Sequence, residues 1–328
     1  MQQEIESSIL KTIAFFDVFN FPLTAEEVWK WLYRPGRKVP LSEVRNILQN
    51  SDFLADKIVR TEAFWSLKGR EYTYIIRKHH NNLAERKFTR ALRLVRIYKY
   101  LPFIKMIAIC NTLAYSNTGE ESDIDFFIIT AKNKIWLVRF FTILLVYIFG
   151  MRPTYEDSKD AFCLSFFISE DNLDIRRIMM HNNDIYSPYW IRQLLPVYNV
   201  DNTYNDFLAA NQWTEQHLPN AYANQFVKEV KSNIWSRFIA KALGFILHPP
   251  LFGRFFNATY RRIQSKIISR NLQTLINVDT RGIVNDQMLK FHSNDRRELF
   301  YKKWRNRLHD LLDNKLVSNS NEHKTNEK

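Results

Sequence analysis

The 328-residue chain is 46% hydrophobic and 15% aromatic, with only 7 Gly and 10 Pro, which excludes a low-complexity or loop-rich protein and leaves ample material for a packed core. Its formal net charge is +13, unevenly spread: residues 1–80 hold 12 basic and 10 acidic groups, residues 81–219 hold 15 of each, and residues 220–328 hold 20 and 9. Basicity confined to the last third points to a polyanionic partner such as RNA, DNA, a nucleoside triphosphate or an anionic membrane. Two cysteines, Cys110 and Cys163, both fall in apolar strand-like runs. They read as small core hydrophobes in a protein of the reducing cytoplasm. The polar, acidic start, Met1 to Glu6, is not a secretory signal.

In chain order, Ile5, Ile9, Ile13 and Phe16 share one helical face. Phe21-Pro22-Leu23 breaks that helix, and Thr24-Ala25-Glu26-Glu27 has the form of a capping box opening a second, with Val28, Trp31 and Leu32 inward. A basic loop from Tyr33 to Pro40 leads to a third helix near Ser42–Asn50, with Val44, Ile47 and Leu48 apolar. Lys57–Arg60 and Phe64–Leu67 then read as a small hairpin. Three helices followed by a hairpin resemble a winged helix, whose third helix would present Arg45, Asn46 and Gln49. A charge of only +2 over residues 1–80 is meagre for phosphate contact, so a structural or protein-contact role is expected there.

A long helix is expected from Leu83 to Tyr100, with Phe88, Leu92 and Val95 inward and Arg86, Arg90 and Arg93 on another face. Buried strands follow at 104–110, 123–130 and 162–168, with a helix over 135–150 between the last two. The longest apolar run, Ile135 to Met151, contains Arg139 and falls short of the ~20 residues that span a bilayer. It reads as a crossover helix, and a membrane partner is not expected. Ser122-Asp123-Ile124-Asp125 opens the middle strand. Residues i and i+2 of a strand share a face, so Asp123 and Asp125 project together while Ile124, Phe126 and Ile128 point the other way. Two carboxylates at the mouth of an apolar strand form a seat for Mg²⁺, with Mn²⁺ as the alternative. A metal held this way grips phosphates.

The order strand, small polar turn, loop, Asp-x-Asp strand resembles the nucleotidyltransferase superfamily of DNA polymerase beta, nucleotide-adding tRNA enzymes and minimal nucleotidyltransferases. There a Gly-Ser turn precedes Asp-x-Asp by about ten residues. Here Asn111-Thr112 takes the Gly-Ser place, and the likeness covers roughly residues 83–200. The whole chain is similar to uncharacterised bacterial nucleotidyltransferase-domain proteins that begin with a winged-helix-like segment. The resemblance implies a mixed α/β fold with a small sheet, Asp123 and Asp125 as metal-holding catalytic residues, and Asn111, Thr112 and Ser122 as nucleotide-binding residues. It also implies a third carboxylate on a later strand. The strand Phe162–Ile168 presents Cys163, Ser165 and Phe167 on one face, with no acid; Asp160, Glu170 and Asp171 flank it.

A short helix and an edge strand are expected over Asp184–Asn199, and a helix over Tyr204–Leu218. From 222 to 315 the pattern reads as helical and basic, with Arg261, Arg262, Lys266 and Arg270 on one helix and Arg296, Arg297, Lys302, Lys303, Arg305 and Arg307 on another. Ile234–Phe256 mixes aromatic and basic residues and is expected to pack on the core. The divisions are a winged-helix-like domain over 1–80, a nucleotidyltransferase-like α/β domain over 81–219, a basic helical domain over 220–315 and a disordered tail over 316–328. No zinc spacing, Walker loop, dinucleotide glycine fingerprint or nucleophile elbow occurs. The function expected is transfer of a nucleoside monophosphate from a nucleoside triphosphate to an RNA, DNA or other anionic acceptor. The alternative is a catalytically degenerate nucleic-acid-binding or regulatory protein.

Overall fold

The computed structural model describes residues 2–151, 159–180, 184–224, 228–247, 258–263, 276–291 and 295–325. Helix α1 (Gln2–Asp17) buries Ile5, Ile9, Ile13 and Phe16, the face its 3.6-residue period marks out. Helix α2 (Ala25–Lys30) opens with the expected capping box: the Thr24 hydroxyl accepts from the Glu27 amide at 3.2 Å, and the Glu27 carboxylate accepts from the Thr24 amide at 2.9 Å. Replacing Thr24 with alanine is expected to cost about 1 kcal/mol in urea unfolding, the usual loss for an N-cap hydroxyl. Helix α3 (Leu41–Asn50) buries Val44, Ile47 and Leu48 and leaves Arg45, Asn46 and Gln49 exposed. Beyond a short helix α4 (Asp52–Ala55), strands β1 (Ile58–Thr61) and β2 (Phe64–Leu67) pair antiparallel.

Helix α5 (Thr73–Tyr98) begins ten residues before the expected start at Leu83. The polar stretch His79–Asn82 hides its early turns, because tertiary ties rather than an apolar face hold them. Arg77 makes a two-pronged ion pair with Glu27, at 2.6 and 2.7 Å, and its guanidinium stacks over Phe21 and Phe64. Residue 80 therefore falls inside a continuous helix that runs from the first unit to the sheet.

The sheet has the order β6-β3-β4-β5-β8-β7 among the described residues. Its strands are β3 (Ile104–Ile109), β4 (Ile124–Thr130), β5 (Phe162–Ser169), β6 (Leu195–Asn199), β7 (Gly282–Val284) and β8 (Met288–Phe291). β4 and β5 are parallel, and every other described neighbour pair is antiparallel. Helix α7 (Ile135–Ile148) lies between β4 and β5 in sequence, as a parallel pair requires. One sheet face packs on α5 and α7 through Val95, Tyr98, Ile124, Phe126, Ile128, Trp136 and Phe167. The other packs, through Met106, Phe127, Ile129, Phe166 and Ile168, on helices α8 (Tyr186–Gln193) and α9 (Thr203–Ala210). The architecture is mixed α/β.

Several expectations need correction. The helix expected over Tyr204–Leu218 divides at Asn211, whose fully buried side chain donates to the Leu173 and Phe207 carbonyls and accepts from the Ile175 amide and the Trp213 indole. Residues 222–315 are not uniformly helical, since β7 and β8 extend the sheet. Their signal was a polar turn, Asn285-Asp286-Gln287, between two short apolar runs. Helix α10 (Ile234–Leu247) does not bury its large side chains, as described below. Lys266 and Arg270 lie outside the described residues. The last helix is α11 (Arg297–Thr325).

Helix α11 also closes the first unit. Trp304 donates its indole N–H to the Lys11 carbonyl at 3.0 Å, and Arg307 pairs with Asp17 at 2.5 Å. Tyr189 of α8 stacks on Phe15 at 4.2 Å and donates to the Trp31 carbonyl. The two ends of the chain and α8 thus share one apolar cluster. No helix of the described residues is long and apolar enough to cross a membrane.

Candidate active site

Ile124, Phe126 and Ile128 are buried on the α5/α7 side of β4, so alternation turns Asp123 and Asp125 toward the α8 side. There Asp123, Asp125 and Cys163 each place one donor atom within 4.8 Å of the others, the one cluster of that kind among the described residues. Cys163 stands opposite Asp125 across the parallel ladder. Between Asp125 and Phe127, β4 advances two residues while β5 advances three, from Cys163 to Phe166. This bulge changes the side-chain alternation. Phe166 therefore packs on the site side and Phe167 on the opposite one, which corrects the expected common face of Cys163, Ser165 and Phe167.

Asn111 and Thr112 begin the short helix α6 (Asn111–Ala114), directly after β3. Asn111 has φ of 56°, a left-handed conformation that asparagine tolerates better than most residues. Its side-chain oxygen accepts from the Trp190 indole at 3.0 Å and the Tyr186 hydroxyl at 3.3 Å. All five residues singled out from the sequence, Asn111, Thr112, Ser122, Asp123 and Asp125, line one cavity of about 420 Å³.

Sequence reasoning missed the rest of its wall. Phe166 and Trp190 stack at 5.4 Å, and Tyr186 packs against Phe300 at 5.5 Å, giving the cavity flat aromatic sides. Lys290, Asp295, Arg296 and Arg297 form the side contributed by β8 and the start of α11. The basic third was visible as composition, but nothing in the sequence indicated that β8 would bring it to the Asp pair.

Electrostatically the two carboxylates are uncomfortable. Burial raises the Asp123 pKa, and burial together with the Asp123 charge pushes Asp125 up to about 7. No ion pair among the described residues neutralises either. Burial, then the neighbouring carboxylates, also raises the Cys163 thiol well above its usual range, so it stays protonated; it lies 3.2 Å from the Ser165 hydroxyl. Two oxygen donors without a fixed cation suit a hard divalent ion such as Mg²⁺ or Mn²⁺, and the protonated Cys163 thiol beside them is not a ligand in that state. The flanking acids do not complete the set. Asp160 pairs with Lys87 at 3.2 Å and Arg86 at 3.4 Å, while Glu170 and Asp171 pair with Lys105 and Lys132 at the far end of β5. Arg86, Arg90 and Arg93 do not line the cavity.

Lys87 has no exposed side-chain surface. Its ammonium donates to the Glu120 carbonyl at 3.0 Å and to the Ser122 carbonyl, so it anchors the loop that delivers Asp123. Lys87→Met keeps the stem and removes the charge, leaving two carbonyls and Asp160 without their buried donor. We expect a loss on the order of 2–3 kcal/mol, read by urea unfolding.

The opposite wall is a satisfied charge network. Arg297 pairs with Asp184 at 3.1 Å and Asp295 at 2.6 Å, and donates to the Ile178 carbonyl at 2.6 Å and the Thr280 hydroxyl at 2.8 Å. Burial opposes the charge on Asp295, but its bonds to Arg297 and the charges of Arg297 and Lys290 outweigh that and hold it at about 2. Burial, aided by the Arg297 charge, lowers Lys290 to about 8.

Set against family models, curated proteins and solved structures, the chain finds no match in any of the three.

Proposed function

We propose that this chain is a divalent-metal-dependent nucleotidyltransferase. The observation that carries the reading is the convergence of Asp123 and Asp125 in one cavity with Asn111, Thr112 and Ser122. Asp123 and Asp125 would hold Mg²⁺ or Mn²⁺, which neutralises phosphate charge when bound. Thr112 and Ser122 supply hydroxyls for triphosphate oxygens. The Phe166–Trp190 and Tyr186–Phe300 walls offer flat apolar faces to a base. Lys290 and Arg296 supply positive charge for the triphosphate or for an anionic acceptor such as an RNA or DNA end.

The reaction forms a bond from an acceptor oxygen to the α-phosphorus, breaks the bond to the bridging oxygen and releases diphosphate. The described residues place no third carboxylate beside the pair to receive the acceptor's proton. That feature favours the second reading, nucleotide binding without transfer. We assign residues 1–80 a winged-helix-like fold with a contact role inside the chain, because α1 packs on α8 and α11. The cytoplasm is the compartment in which the free thiols Cys110 and Cys163 stay reduced.

The test is incubation of the protein with each labelled nucleoside triphosphate, Mg²⁺ or Mn²⁺, and RNA, DNA or small anionic acceptors. Transfer that needs the metal and vanishes in Asp123→Ala with Asp125→Ala is expected. Metal-dependent nucleotide binding without product would establish the second reading, and transfer that survives the double substitution would refute the first.

A further inference from the structure

Helix α10 carries its large side chains on the outside. Ile234, Trp235, Phe238, Phe245 and Ile246 are 79%, 69%, 67%, 76% and 67% exposed, and Ile239 is 39% exposed. At 100° per residue these six fall on one continuous arc of the helix. The packed side is built from small and aliphatic residues: Ser236 is fully buried, and Gly244 sits close enough to Phe103 and Pro102 that an added Cβ would lie 3.4 Å from each. The helix therefore rests on the loop between α5 and β3 with its smallest residues inward and its aromatic residues outward, the reverse of a core-facing surface helix. Monomeric proteins seldom leave such a contiguous apolar face in water.

The charges beside the arc indicate what covers it. Arg237 and Lys241, four residues apart, border it on one side, and helix α10 contains no Asp or Glu. A second copy docked through the same face would meet like charges with no acid from α10 to pair them. A nucleic acid would match the charge but would not bury six large apolar side chains. An anionic bilayer matches both, taking the aromatic arc at the level of its headgroups while Arg237 and Lys241 reach lipid phosphates. The 14 described residues of the helix are too few to span a bilayer, and an arc that is apolar on one side only suits the interface.

We propose that α10 is an interfacial membrane anchor that binds the surface of anionic lipid bilayers. This does not depend on the nucleotidyltransferase reading.

The test is co-sedimentation of the full chain with phosphatidylcholine vesicles, with and without about 30 mol% phosphatidylserine. The expected result is binding to the anionic vesicles at least about tenfold stronger than to neutral ones, weakening as salt rises. Trp235→Ser, Phe238→Ser and Phe245→Ser together should weaken it about 100-fold or more. Arg237→Glu with Lys241→Glu should abolish the preference for anionic lipid. All five side chains are exposed, so the variants should keep the wild-type melting temperature and circular dichroism. Absence of wild-type binding would overturn the proposal, as would undiminished binding by the triple variant. So would a wild-type dimer that becomes monomeric in the triple variant, because a second copy would then be the occupant.

Discussion

Asp125→Asn is expected to abolish metal-dependent transfer and, in the same molecule, to raise the melting temperature measured without metal. Both effects come from one cause. Asp125 is buried beside Asp123, and its pKa stands at about 7, against roughly 3.9 in an unfolded chain. Between those values the folded state binds the extra proton, so stability falls as pH rises through that window and the full penalty is present above about pH 7. The wild-type melting temperature should therefore drop between about pH 4 and pH 7 and level off above that, and the asparagine variant should show a flatter profile. At about pH 8 the metal-free variant should be the more stable protein, by on the order of 2 kcal/mol. Added Mn²⁺ should restore the wild type by binding only its folded form, and should leave the variant unmoved. Loss of transfer by about a thousandfold or more is the expected catalytic counterpart, since the amide carries no charge for the ion. Differential scanning fluorimetry over pH, with and without Mn²⁺, checks the stability half on the protein alone.

Arg297→Met should be the most destabilising single change at the start of α11. The guanidinium is 8% exposed and joins Asp184 and the Ile178 carbonyl from one segment, Thr280 from a second, and its near neighbour Asp295. Removing it leaves the side chain of Asp184, which has no exposed surface, without its cation, and Asp295 with only Lys290 at 3.5 Å. Breaking one side of a buried ion pair costs about 3–5 kcal/mol. Arg297→Lys keeps the charge but loses the planar fork, so a smaller but clear loss is expected. Because Trp304 and Arg307 tie the same helix to α1, local release should carry further. Hydrogen exchange should rise in α11 and on the face of α1 that it covers, while β3, β4 and β5 keep their protection. Wild-type urea stability in Arg297→Met would show that the network contributes nothing net.

Local signals in the sequence carried far. The period of Ile5, Ile9, Ile13 and Phe16 marked the buried side of α1, and the Thr24–Glu27 box marked the start of α2. The alternation around Asp123 and Asp125 told which way both carboxylates would face, and the polar turn at Asn111-Thr112 entered the same cavity. What stayed hidden depends on contacts between distant segments. Cys163 reads as an inert core residue in its own strand. It becomes a neighbour of the Asp pair only because β4 and β5 run parallel with a bulge beyond that point. Lys87 has nothing to distinguish it from Arg86 or Arg90 until its ammonium is seen buried under the Glu120–Ser122 loop. The basic wall of the cavity lies more than 160 residues after Asp125, on a strand too short to announce itself. Helix α10 misled in the opposite sense, because apolar content predicts burial only when something in the fold covers it.

The central claim is that Asp123 and Asp125 together hold a divalent ion. Calorimetric titration of Mn²⁺ into metal-free protein at about pH 8, repeated with a nonhydrolysable nucleoside triphosphate, tests it most directly. The account predicts saturable binding in the wild type that tightens with the nucleotide and disappears in Asp123→Ala and in Asp125→Asn. Equal Mn²⁺ binding by the wild type and both variants, or none by the wild type with the nucleotide present, would contradict it.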